Sequence, residues 1–158
     1  MGLATVIKIK DILRKEWIVR GLKAGTTRDV LVQFVDVLAA EGDVIQDRDR
    51  FIEDLVRREE NISTVMGNHV AFPHARSNGV KRLCLSVGLT EDPEHGIAFS
   101  GNDDVRLFFC IGVPVYTPTA HLPLLQKLAG LVRKANEVER LLQCKTNASL
   151  YSRLTRLD

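Results

Sequence analysis

Val105-Arg106-Leu107-Phe108-Phe109-Cys110-Ile111-Gly112-Val113 is a nearly unbroken apolar run, and Pro114 closes it. A strand with one wet face alternates apolar and polar side chains, so a continuous run predicts a strand covered on both faces. Upstream, Leu83, Leu85, Val87 and Leu89 alternate and predict a second strand over Leu83–Leu89. Helical patterns lie on either side of these strands. Thr26 and Asp29 form a T-x-x-D start, Val30, Leu31, Phe34, Val35 and Leu38 follow at helical spacing, and Gly42 is a stop signal. A second helix is predicted from Asp47 to about Arg58, with Phe51, Ile52, Leu55 and Val56 on its buried face. Beyond Pro114, His121–Val132 reads as a third helix, and Glu137–Leu142 and Ser149–Leu154 as shorter ones. Helices, then doubly buried strands, then helices predict an α/β fold with a sheet flanked by helices on both faces. No repeat or linker interrupts the pattern, and 158 residues fit a single domain over 1–158.

Bulk properties narrow the class of protein. The 22 bases and 20 acids nearly balance and are interleaved, as across Gln46–Glu60, which argues against a nucleic-acid partner. No apolar run approaches the roughly 20 residues that span a bilayer, so no membrane insertion is expected. Met1–Lys10 lacks a signal-peptide core, and Val6 stands where myristoylation needs Ser or Thr. Cys84, Cys110 and Cys144 fit neither a disulfide framework nor a zinc site, and all three are expected as free thiols in the core. These features together predict a cytoplasmic protein.

One stretch differs from the rest. Residues 61–79 hold two Gly, one Pro, three Asn and two His with little periodicity. Within it Pro73 fixes its own φ and pushes Phe72 into an extended conformation, so His74 follows a stiff piece of backbone. A neutral imidazole presents one ring nitrogen able to attack phosphorus. Such a nucleophile needs donors and cations around the incoming oxygens. Arg58, Ser63 and Thr64 lie shortly upstream, and His121 opens a predicted helix where its ring can turn toward the strand ends.

The pattern Arg58-Glu59, Ser63-Thr64, Gly67-Asn68, then Val70-Ala71-Phe72-Pro73-His74, closely resembles the active-site signature of type-2 EIIA domains of bacterial phosphotransferase systems. This is the fructose/mannitol class, which includes the nitrogen-type regulatory EIIA. The likeness covers nearly the whole chain. It implies a mixed sheet flanked by helices and no cofactor or metal. It also implies a phosphocarrier in which His74 accepts a phosphoryl group from phospho-HPr, or from a nitrogen-type HPr. Arg58, 16 residues before His74, matches the family's arginine, and His121 before a leucine-rich helix matches its second histidine. Thr64, and with less support Ser63, are expected to contact phosphate. The acceptor is a IIB domain or a set of regulated proteins. Two residues depart from the family: Phe72 replaces the usual Ile or Val, and His69 occupies a position usually small. Strand alternation from His69 to His74 places the two on opposite faces, making His69 a bystander. His95 is read as a surface histidine and Glu59 as the structural partner of a neighbouring base.

A chain with no IIB, IIC or HPr segment favours the regulatory nitrogen type over a sugar-specific EIIA. A different class is a module that keeps the fold but signals by binding, with weak phosphotransfer. A metal-binding domain using His69, His74 and His121 ranks last, because no carboxylate or Cys stands at ligand spacing.

Overall fold

The computed structural model describes residues 7–158, so the readings of the Met1–Val6 end lie outside it. Two long helices come early, α2 (Thr27–Ala39) and α3 (Arg48–Asn61), after a single turn α1 (Ile9–Ile12). The T-x-x-D start of α2 is a complete capping box: Asp29 N donates to Thr26 Oγ1, and Thr26 N donates to Asp29 Oδ2. The Asp47 side chain caps α3, which runs to Asn61, one turn beyond the expected end.

Five strands form a mixed sheet: β1 (Ile18–Arg20), β2 (Val70–Ala71), β3 (His74–Ser77), β4 (Cys84–Leu89) and β7 (Leu107–Pro114). β7 lies at its centre, antiparallel to β4 on one side and parallel to both β2 and β3 on the other. β1 runs parallel to β4 at the edge. β5 (Ile97–Phe99) and β6 (Asn102–Val105) make a separate hairpin. The helices α4 (Leu122–Val132), α5 (Ala135–Leu142) and α6 (Asn147–Thr155) complete the chain.

Every residue of β4 and β7 is buried, so both faces of the central sheet are covered. Here the alternation of Leu83–Leu89 misleads, because Cys84, Ser86 and Gly88 are as dry as Leu85 and Val87 between them. A Cβ on Gly88 would meet Phe34 of α2, and one on Gly112 would meet Phe51 of α3. Gly88 and Gly112 share one face, since Gly88 pairs with Phe108 and Cys84 with Gly112. α2 and α3 therefore cover the same side. The apolar run splits at Arg106, which pairs with Asp104: β6 ends at Val105 and β7 starts at Leu107. Cys84 and Cys110 are core residues, whereas Cys144 is only half-buried at the end of α5.

Candidate active site

The stretch without periodicity becomes two short strands joined through Phe72-Pro73. The Pro73 carbonyl accepts from Ile111 N at 2.9 Å, so the proline stays in the sheet through its one remaining polar group. His74 then begins β3, opposite Ile111 of β7. Along β3, Ala75 and Ser77 are buried on the side shared with Gly112, toward α3. His74 and Arg76 point to the opposite side.

His74 Nδ1 lies 2.7 Å from the Phe72 carbonyl oxygen. A carbonyl only accepts, so this contact places the ring proton on Nδ1 and leaves the lone pair on Nε2. His121, at the N-cap of α4, brings its ring to 5.5 Å from that of His74 between centroids, tilted by 40°. It makes no side-chain cap, is buried, and its Nδ1 has no partner among the described residues.

Both rings are held below the ordinary histidine pKa. For His74 burial is the main cause, and the Arg58 and Arg76 cations add to it, while the bond to Phe72 and the Glu59 charge oppose it. For His121 burial again leads, followed by His74 and Arg76. The outcome is a pair of neutral imidazoles in a cationic field. Arg58 closes the last turn of α3 by donating from Nη1 to the Ile62 carbonyl at 2.8 Å. It thus combines a helix-terminal bond with a charge felt at His74.

Thr64 and Glu59 take other parts than the sequence suggests. Glu59 is buried and, among the described residues, forms no ion pair with a base. Its Oε2 accepts from Thr64 N and its Oε1 from Thr64 Oγ1, each at 2.6 Å. The Thr64 hydroxyl is therefore committed to a carboxylate in the interior, and the pair latches α3 to the segment leading into β2. Glu59 continues the buried stripe of Phe51, Ile52 and Leu55 on α3, whereas its neighbour Glu60 is exposed. Ser63 is exposed, and its Oγ accepts from Val65 N at 3.2 Å in a tight turn. His69 is turned away from His74: it has a positive φ of 67°, and its Nδ1 lies 3.0 Å from the Asp104 carbonyl. The alternation argument for it fails, since Asn68 and His69 are both left-handed rather than extended. His95 is exposed beside Asp92.

Residues 11–156 match the family described as phosphoenolpyruvate-dependent sugar phosphotransferase system, EIIA 2. The chain belongs to this family. A nitrogen regulatory protein of Pseudomonas aeruginosa is 30% identical over 146 residues, which is 92% of this chain and 94% of that one. A fructose-specific EIIA component of Haloferax volcanii is 26% identical, over 78% of this chain and 80% of that one. Among solved structures, the nitrogen regulatory protein IIA-Ntr of Neisseria meningitidis superposes with a TM-score of 0.78 at 29% identity, covering 93% of this chain and 99% of that one. The mixed sheet and six helices described above are thus the type-2 EIIA fold. EIIA domains of this family are phosphocarriers that pass phosphate through a histidine, and they work with HPr and IIB domains. Among the described residues no helix is long and apolar enough to cross a membrane.

One feature of this EIIA surface was not legible beforehand. The exposed large apolar side chains of the described residues are Ile62, Met66, Val115, Tyr116 and Leu122. Ile62 and Met66 follow α3 in the chain, Val115 and Tyr116 follow β7, and Leu122 is the first residue of α4, next to His121.

Proposed function

We propose that residues 1–158 act as a single cytoplasmic EIIA unit that accepts a phosphoryl group on His74 Nε2 from a phosphohistidine of HPr or a nitrogen-type HPr. The observation that carries this reading is the 2.7 Å contact between His74 Nδ1 and the Phe72 carbonyl, which fixes the reactive tautomer. In the transfer, the Nε2 lone pair forms the new N–P bond as the donor N–P bond breaks, and the donor nitrogen keeps the electron pair. No proton has to move in that step, because Nδ1–H stays on the Phe72 carbonyl. Lowered basicity keeps Nε2 unprotonated at neutral pH. Arg58 supplies positive charge for the arriving oxygens, and His121 approaches them from the start of α4. Exposed Leu122, next to His121 at the start of α4, offers a protein donor or acceptor an apolar contact beside the histidine pair.

The finer assignment is a regulatory nitrogen-type EIIA, supported by the nitrogen regulatory relative and the IIA-Ntr structure. A sugar-specific EIIA that donates to a IIB domain is the second reading, supported by the fructose-specific relative. Incubation with enzyme I, labelled phosphoenolpyruvate and either HPr tests the proposal. Acid-labile label is expected on the wild type and none on His74→Ala. No label from either HPr would refute the carrier role, and the HPr that labels faster identifies the branch.

A further inference from the structure

We infer that Arg76 is a second phosphate-contacting cation of this site, pairing with Arg58 to receive the phosphoryl group carried by His74. The inference rests on the carrier reading above and adds a residue to it. Arg76 is two positions beyond His74 on β3, so both side chains leave the strand on the same side. The buried Ala75 and Ser77 confirm that alternation locally. Arg76 is exposed, and among the described residues its guanidinium makes no ion pair and no hydrogen bond. Most other arginines here are engaged: Arg14, Arg48 and Arg106 with carboxylates, Arg20 with Asn147, Arg58 with Ile62.

Charge balance gives the free guanidinium a task. A phosphoryl group on a ring nitrogen brings close to two negative charges, and the unphosphorylated rings offer none in return. Arg58 can neutralise one of them, but part of its donor set is spent on the Ile62 carbonyl. A second guanidinium completes the balance, and its planar fork fits two phosphoryl oxygens at once. The charge of Arg76 acts on both His74 and His121, lowering the pKa of each. The groups facing His74 are Arg58 and Glu59 from α3, Arg76 from its own strand and His121 from α4.

The test compares Arg76→Gln and Arg76→Lys with Arg156→Gln, a control on the exposed end of α6. Two quantities are read: the imidazole titrations of His74 and His121 by NMR without phosphate, and the equilibrium partition of label between phospho-HPr and this protein. In Arg76→Gln both titrations should rise toward the ordinary histidine value, and the partition should shift roughly tenfold toward HPr. Arg76→Lys should restore the titrations and part of the partition, because it keeps the charge and loses the fork. The control should change neither. Label on the wild type with an unmoved partition in Arg76→Gln would overturn the assignment of Arg76 alone. No label on the wild type would overturn the carrier reading and this one with it.

Discussion

Replacing Thr64 by Val tests whether the Glu59–Thr64 latch holds the site together. Valine keeps the shape of threonine, so no cavity opens and the hydroxyl is the only group removed. Oγ1 donates to a buried carboxylate at 2.6 Å, and that oxygen is left without a donor when the hydroxyl goes. Hydrogen bonds to charged groups contribute roughly 1.5–3 kcal/mol, and an abandoned buried acceptor keeps the cost near the upper end. For a chain of this size, each kcal/mol corresponds to about 2–4 °C in Tm, so a fall of about 5–10 °C is expected. Thr64→Ser, which keeps the hydroxyl and loses one methyl, should cost only about 1 kcal/mol. Urea unfolding can be followed through Trp17, the single tryptophan, which is buried against the core. Glu59→Leu completes a double-mutant cycle. Its coupling with Thr64→Val should exceed about 1 kcal/mol, since the second loss finds no intact bond to break. Equal costs for the Ser and Val variants, or a coupling near zero, would refute the latch.

Two further perturbations follow from other parts of the structure. Gly88→Ala drives a Cβ into the Phe34 ring, so overpacking should cost about 1–3 kcal/mol, and Phe34→Leu in the same chain should recover part of it; an unchanged urea midpoint in the single variant would show that the α2 face has slack. Both site histidines bind protons less readily folded than unfolded, so stability should be complete above about pH 6.5 and decline as pH falls below it. The decline should be shallower in His74→Asn and His121→Asn. It should also be distinct from the loss at Asp104, whose carboxyl is held at about 2 by Arg106 and protonates only in strong acid. A pH profile unchanged by both substitutions would refute this assignment.

Local chemistry made the major elements legible. The capping box of α2, the apolar spacing of α3 and the unbroken run of β7 each carry their own signal within a dozen residues. Arg58, His74 and His121 were legible through their pattern, and the structure brings the two rings together and places Arg58 within electrostatic reach. What escaped is tertiary in origin. β1 and β2 have three and two residues, too few to show a period, and exist because β4 and β7 offer them edges. The β5–β6 hairpin includes Asn102-Asp103-Asp104, a polar sequence that no strand propensity would select. Thr64 looked like a phosphate ligand because hydroxyls are suited to phosphate. Its partner Glu59 follows Leu55 on the buried stripe of α3, but a charged residue there gives no sign of which group it bonds.

The central position of β7 also bears on the order in which the molecule can assemble. β4 and β7 are linked by a hairpin-containing segment and can pair early, whereas the parallel docking of β3 onto β7 closes a longer and less local loop. α4, which carries His121, follows β7 in the chain and must fold back before the rings can meet. The paired imidazoles therefore meet only after β3 has docked on β7 and α4 has folded back. A nascent or partly unfolded chain contains all the same residues but holds no such pair.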